Sequence, residues 1–249
     1  MTYCVAMRLN AGLIFMSDTR TNAGVDNISR FRKMFTWEEP GERVITVLTA
    51  GNLATSQAVI SLLDERTKAP KERRPSLLEA PTMFQVANII GDTLKEVIKT
   101  QKMTGPESEA DYGATMIVGG QITGIEPRLF MVYPEGNFIE ASEETPFFQI
   151  GETKYGRPIL LRAYDPDMSF EEAVKLLYVS FDSTLKANLS VGMPLDLQVV
   201  ETGTMQVGHR RRVEDDDPYF QTVSSSWGDA LKLAFKSLPD FTFGPDDQA

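Results

Sequence analysis

The sequence predicts an α+β protein built on antiparallel sheets, and two observations carry that prediction. Strand-like and helix-like segments come in groups: hairpins, two helices, more strands, a helix, two strands, a helix. Strict strand–helix alternation, the mark of a Rossmann-type parallel sheet, is missing. Short turn signals such as Asn10-Ala11-Gly12 and Glu39-Pro40-Gly41-Glu42 join successive strand-like runs, as hairpins require.

Residues 2–8 alternate weakly, with Tyr3, Val5 and Met7 one way and Cys4 and Ala6 the other. Residues 13–16 are a short apolar run, as in a buried strand, and complete the first hairpin. Segments 31–37 and 43–50 read as a second hairpin. After Gly51-Asn52 the period changes: Leu53, Val59, Leu62 and Leu63 recur at helical spacing to about residue 66. A proline-rich, charged link at 69–75 leads to a helix over 82–102, striped by Val86, Ile89, Ile90, Leu94 and Ile98. The polar stretch 104–111 reads as a mobile loop. Strands are predicted at 114–120, 128–133, 136–141 and 147–150. Ser169, with Glu172 three residues on, forms a capping box that opens a helix to about residue 186. Strands at 195–201 and 205–212 precede a last helix over 218–236. Phe220, Val223, Trp227, Leu231 and Phe235 lie on one side of it.

A chain of 249 residues, 42% hydrophobic, suits one large domain or two small ones. No repeat or domain boundary is visible, so one domain spanning 1–249 is expected. The formal charge of −10 argues against general binding of nucleic acid or anionic membranes. The single cysteine, Cys4, excludes an internal disulfide and a thiolate metal cluster, and fits a reducing compartment. Arg8 and Asn10 interrupt any signal-peptide core, and no apolar run approaches ~18 residues. A cytoplasmic protein is expected.

Catalytic options narrow quickly. His209 is the only histidine and sits in the basic run His209-Arg210-Arg211-Arg212, an unpromising place for a general base. Neither HExxH, GxGxxG nor GxxxxGK[ST] occurs, so no metal or cofactor is expected. A hydrolase here needs a base that is neither histidine nor metal. An N-terminal residue supplies one, because its α-amine has a pKa of about 7.7–8.0. An N-terminal threonine is nucleophile and base in one residue. Thr2 qualifies only if nothing precedes it, and a methionine before a small residue is removable by methionine aminopeptidase. Taken singly, Thr2 is a strand-start residue, Lys33 a surface lysine and Asp18 a turn former. Cys4 shares the strand face of Thr2 and reads as a small buried hydrophobe.

The order of motifs changes that reading. Ser17-Asp18-Thr19-Arg20-Thr21-Asn22 follows the second strand, Lys33 lies in the third, and Thr49-Ala50-Gly51-Asn52 opens a helix. This pattern resembles the β-subunits of the proteasome family, the threonine-type N-terminal nucleophile hydrolases, and most closely their bacterial ancestral group, Anbu. The resemblance covers nearly the whole chain, including Gly151, the Ser169 helix and the strand after Met193. It implies a four-layer αββα sandwich, two antiparallel sheets between helix layers.

The resemblance also assigns roles. Thr2 matches the nucleophile. Lys33 matches the buried lysine that lowers the pKa of the threonine hydroxyl and amine, and Asp18 the carboxylate that keeps that lysine charged. The Gly51 N–H matches the oxyanion donor. Thr21 and the residue after Ala50 bind extended peptide through their main chains, which implies substrate lying as a strand beside Thr21-Asn22-Ala23. Phe31, Phe35, Thr49 and Leu53 match pocket-lining positions, with core packing as the other reading of both phenylalanines. Two stretches depart from the pattern. Gly151-Glu152-Thr153 stands where Gly-Ser-Gly is usual, which puts a carboxylate, Glu152, near the amine. Asn188-Leu189-Ser190-Val191-Gly192 stands where Asp-x-x-Ser-Gly is usual; Ser190 is the candidate for the serine role, with Asn188 a neutral substitute for the aspartate. The implied partners are a peptide or unfolded protein substrate and further copies of the chain, in a ring or an open helical assembly. The sequence names no unfoldase. A narrow amidase with the same catalytic residues, and a non-catalytic assembly subunit, are the alternatives.

Overall fold

In the computed structural model, which describes residues 2–22, 28–69, 75–104 and 111–243, the two predicted hairpins open two different sheets. The first pairs β1 (Tyr3–Leu9) with β2 (Gly12–Asp18). A small ladder follows, β3 (Arg20–Asn22) with β4 (Ile28–Arg30), and then the second hairpin, β5 (Met34–Glu39) and β6 (Arg43–Gly51). Helices α1 (Leu53–Lys68) and α2 (Met83–Thr104) come next, with a 3₁₀ turn at Leu77–Glu79 between them. Strands β7 (Ala114–Ile122), β8 (Arg128–Val132), β9 (Phe138–Glu140) and β10 (Phe147–Gly151) precede α3 (Arg157–Ala163) and α4 (Phe170–Ala187). The chain continues through β11 (Leu195–Glu201) and β12 (His209–Val213) into α5 (Pro218–Lys236).

One five-stranded sheet has the order β10-β1-β2-β11-β12, the other β5-β6-β7-β8-β9, and every pairing is antiparallel. The period-two alternation of β1 explains how they stack. Cys4 and Ala6 face inward with Leu13, Phe15, Leu48 and Ile117, forming the layer between the sheets. Tyr3, Val5, Met7 and Leu9 face outward onto α3 and α4, with Leu160, Leu177 and Phe181. Helices α1 and α2 cover the other sheet through Val59, Leu63, Val86, Ile90 and Leu94. The result is the αββα sandwich. Because β1 and β2 are covered on both faces, they read as nearly continuous apolar runs.

Local differences from the sequence reading have identifiable causes. β2 runs on to Asp18, because β11 pairs with it as far as Leu195↔Asp18. β5 begins at Met34, so Lys33 lies just before the strand rather than within it. β3 and β4 were not expected: Arg20-Thr21-Asn22 is polar, and it is the pairing, Thr21↔Ser29, that makes it a strand. α3 was missed because it has 7 residues, too few to show a period, although Pro158 marks its first turn. The last strand begins at His209, because Met205 adopts φ 53 in the preceding turn. The capping box at Ser169 and Glu172 is present as expected. The link at 69–75, the loop at 104–111, Met1 and Ala23 lie wholly or largely outside the described residues. Among the described residues no helix is long and apolar enough to cross a membrane.

Candidate active site

Three segments converge on a carboxylate carried by a fourth. Asp18 ends β2 with no exposed surface. Its Oδ1 accepts hydrogen bonds from the Tyr3 N–H at 2.9 Å and from Lys33 Nζ at 2.7 Å. Its Oδ2 accepts from the Gly192 N–H at 3.3 Å. Lys33 Nζ also donates to the Arg20 carbonyl at 2.6 Å, and the Lys33 carbonyl accepts the Thr49 N–H at 2.9 Å. The lysine, only 4% exposed, is thus tied to β2, to the start of β3 and to β6. Burial pushes the Asp18 carboxyl above its ordinary range, while the Lys33 ammonium and the two N–H donors pull it back. An ion pair this deep is costly to desolvate, so breaking it by removing one partner leaves an uncompensated buried charge.

Thr2 stands directly before this cluster, 9% exposed. Its carbonyl accepts the Glu152 N–H at 2.6 Å. Gly151 sits so close that a Cβ there would lie 2.0 Å from the Thr2 oxygen, and its φ of +84 is one that L side chains avoid. Tyr3 locks the same segment from the helix side. Ser180 Oγ donates to the Gly156 carbonyl, so the Tyr3 hydroxyl donates to Ser180 Oγ at 2.7 Å and accepts the Gln149 amide at 2.7 Å. Burial raises the Tyr3 phenol to about 12, so it stays neutral. A backbone N–H on the carboxylate and a side chain in a filled network together fix where Thr2 can lie.

Glu152 is 7% exposed, with both carboxylate oxygens engaged. Oε1 accepts the Lys154 N–H at 2.9 Å, and Oε2 accepts the Asn188 amide at 2.9 Å. Asn188 Oδ1 in turn accepts the Ser190 N–H at 2.9 Å. The two positions that depart from the family pattern are therefore bonded to each other. Arg20 holds the same loop by donating to the Leu189 carbonyl at 2.9 Å.

Gly51 closes β6 with φ +105, and a Cβ there would meet the Gly113 carbonyl at 2.5 Å. Asn52 then caps α1, its Oδ1 accepting the Thr55 N–H at 3.0 Å. Thr49 is buried, and its carbonyl lies 3.6 Å from Cys4 Sγ, which places this end of β6 over the start of β1. Cys4 is fully buried, and burial pushes its thiol well above the ordinary range. Thr21 lies on β3 opposite Ser29, and Leu53 is half-buried in the first turn of α1. Phe35 is half-buried against the α1–α2 core, whereas Phe31 is 37% exposed. Phe31 is held beside the Thr19–Thr21 stretch by its N–H bond to the Thr19 carbonyl at 2.9 Å. Among the described residues no three His, Cys, Asp or Glu gather as a metal site requires.

The structure thus brings Asp18, Lys33 and the Thr2–Tyr3 segment together, and sets Glu152 against Thr2. Ser190 is joined to this group through Asn188 rather than through its own hydroxyl. Sequence reasoning missed Tyr3, Gln149 and Ser180. Their partners are up to 177 residues apart in the chain, and no spacing signals them.

An αββα sandwich with a buried lysine–carboxylate pair against the start of its first strand has the build of a proteasome-type N-terminal nucleophile hydrolase. The chain belongs to the proteasome subunit family, whose model matches residues 2–200. Within that family it is similar to Anbu, the ancestral β-subunit. Anbu from Hyphomicrobium sp. strain MC1 is 49% identical, with a TM-score of 0.90 over 97% of this chain and 100% of that one. Anbu from Yersinia bercovieri is 44% identical, with a TM-score of 0.91 over 97% and 100% of the two chains. A helical assembly of the Anbu complex from Pseudomonas aeruginosa contains a chain 45% identical, with a TM-score of 0.89 over 97% and 98%. A search of curated proteins returns no match.

Proposed function

We propose that this chain is a threonine-type peptidase that works as a homo-oligomer in the cytoplasm. Its nucleophile is Thr2, exposed as the N-terminal residue by removal of Met1. The observation that carries this reading is the Tyr3 N–H bond to Asp18 Oδ1, on the oxygen that also receives Lys33. It sets Thr2 next to a fixed positive charge in a water-poor site, where such a charge lowers the pKa of the hydroxyl and the amine.

In the proposed reaction, Thr2 Oγ attacks the scissile carbonyl while the free α-amine takes the hydroxyl proton. The Gly51 N–H receives the developing oxyanion. The amine then passes the proton to the leaving nitrogen as the C–N bond breaks, which leaves an ester on Thr2. Water, deprotonated by the same amine, hydrolyses the ester and regenerates Thr2. Substrate lies extended beside Thr21 with one side chain toward Phe31, Thr49 and Leu53. Incubation with an epoxyketone or β-lactone, followed by peptide mapping, tests this. The expected adduct is on Thr2 of chains lacking Met1, and an adduct elsewhere would contradict it.

A second reading is favoured by one observation, the Glu152–Asn188 bond. A carboxylate follows β10, where the family has a serine, and an amide stands where the family has an aspartate, so the pair keeps one negative charge on the segment whose N–H bonds the Thr2 carbonyl. Its source is a different segment. That charge favours the ammonium form of the amine and crowds the site, which suits a narrow amidase acting on a dedicated peptide. Cleavage of a peptide library separates the two: many products support a general peptidase, one or two support the narrow enzyme.

A further inference from the structure

The loop of residues 188–194, between α4 and β11, has no strand pairing of its own. It nevertheless supplies the Gly192 N–H that reaches Asp18 Oδ2 at 3.3 Å. Val191 and Met193 sink into the α3–α4 core and fix the loop's depth. Two consecutive residues at the β2–β3 junction hold its ends. The Thr19 hydroxyl donates to the Pro194 carbonyl at 2.8 Å, and Arg20 Nη1 donates to the Leu189 carbonyl at 2.9 Å. Between these two ties the Arg20 guanidinium lies against Gly192. A Cβ on Gly192 would stand 2.1 Å from Arg20 Nε, 2.2 Å from Cζ and 2.7 Å from Nη2. The Gly192 backbone is outside the left-handed region, so it is the guanidinium, not backbone strain, that a side chain there meets first.

The β3–β4 ladder gives no reason for an arginine at this position. Arg20 stands opposite Arg30, and like charges directly across a ladder are destabilising. Among the described residues no carboxylate pairs with Arg20, and its side chain bonds a neutral carbonyl instead. Its main chain serves the other half of the cluster, where the Arg20 carbonyl accepts Lys33 Nζ at 2.6 Å. One residue therefore touches the lysine through its carbonyl and the Gly192 donor through its guanidinium. The same loop begins at Asn188, whose amide donates to Glu152 at 2.9 Å, and the Glu152 N–H donates to the Thr2 carbonyl at 2.6 Å. These bonds close a ring that runs from Thr2 and Tyr3 through Asp18, Gly192, Asn188 and Glu152 back to Thr2.

We infer that Arg20 is a positioning residue for the Thr2 site. Seated on Gly192 and tied to Leu189, its guanidinium holds the loop where the Gly192 N–H completes the Asp18 cluster and Asn188 meets Glu152. It touches no reacting atom and acts through the loop. A flat, rigid guanidinium suits the bare glycine backbone, whereas a lysine keeps the charge without the planar face or the fork of donors. The inference rests on the peptidase reading above. It adds a link from β3, where substrate is proposed to lie beside Thr21, to the Asp18 carboxylate.

Steady-state hydrolysis of a fluorogenic peptide and a ¹³C titration of the Asp18 carboxyl test it on the full chain. Arg20→Ala should lower kcat about 10-fold or more while KM moves less than about 3-fold, because the main chain of β3 is untouched. It should also raise the Asp18 midpoint, since the Gly192 N–H is one of the donors that lower it. A role confined to stability would lower the melting temperature and leave both readings in place. Arg20→Lys should fail to restore kcat, whereas millimolar guanidinium ion should restore it in the Arg20→Ala chain. Gly192→Ala should reproduce Arg20→Ala, because its Cβ meets the free end of a flexible side chain and evicts the guanidinium with its charge intact. The two changes together should cost no more than Arg20→Ala alone, as for residues that act as one unit. Parent kcat and parent Asp18 midpoint in Arg20→Ala would overturn the inference, as would losses that multiply in the double variant. A parent chain that cleaves no peptide and takes no probe on Thr2 would remove the peptidase reading instead. The Asp18 midpoint of Arg20→Ala then decides the inference alone, raised in its support or unmoved against it.

Discussion

The start of the chain and its end solve opposite problems. At the start, Tyr3, Asp18 and Lys33 are polar groups placed deep inside, and each has its partner: N–H to carboxylate, ammonium to carboxylate and carbonyl, phenol to hydroxyl and amide. At the end, α5 carries apolar groups placed outside, and half of them have no partner in the chain. A buried polar group without a partner costs free energy at once, so a folding chain must satisfy it internally. An exposed apolar stripe carries no such local penalty and can wait for a second molecule. The contrast teaches where to look for chemistry and where to look for assembly.

Variants can break this comparison in order of expected effect. Thr2→Ala, in protein whose Met1 has been removed, should lower hydrolysis by about 10³-fold or more, read as kcat/KM on a fluorogenic peptide. It should leave the melting temperature close to the parent's, since Thr2 donates no side-chain bond to the cluster. Lys33→Ala should act on both measurements: it strips Asp18 of its counter-charge, with an expected loss of about 3–5 kcal/mol in chemical denaturation. Gly151→Ala forces a Cβ against the Thr2 carbonyl at positive φ, and should cost about 1–3 kcal/mol as well as activity. Leu231→Asp with Phe235→Asp should lie at the other extreme. The subunit's own unfolding free energy should change by less than about 0.5 kcal/mol per site, as for uncovered surface positions.

Two pH measurements sharpen the site's electrostatics. The Asp18 carboxyl lies above its ordinary 3.8 because burial favours the neutral form. As pH falls it should therefore gain its proton before exposed carboxylates do, seen as a ¹³C carboxyl titration with a midpoint above 3.8. Glu152 follows the residue packed against Thr2, and its own N–H bonds the Thr2 carbonyl, so Glu152→Gln tests whether its carboxylate acts on the α-amine by favouring ammonium. The rising limb of kcat/KM against pH should shift to lower pH, and an unmoved limb would separate Glu152 from the amine.

Much of the first region was legible from sequence because its signals are local or ordered along the chain. The alternation of residues 2–8 gives the strand, one residue early at each end, and the sequence order of Asp18, Lys33 and Gly51 carries the family pattern. What could not be read there is side-chain direction across long loops. The Glu152–Asn188 bond joins two apparent departures 36 residues apart, and neither alone suggests the other. The Tyr3–Ser180–Gln149 network is invisible for the same reason. In the second region periodicity gave the correct helix, 218–236, and the correct stripe. Periodicity reports which face is apolar, not what covers it, so the shared side of Phe220, Leu231 and Phe235 does not tell that the first is buried and the other two exposed.

The central claim is that Thr2 acts through its own free amine. Intact-mass analysis of the native protein, before and after an epoxyketone that bridges hydroxyl and amine, tests it most directly. The account predicts a chain lighter by one methionine that gains one probe mass at Thr2 and loses activity in proportion. Fully active protein that retains Met1, or that is inactivated without an adduct on Thr2, would contradict it.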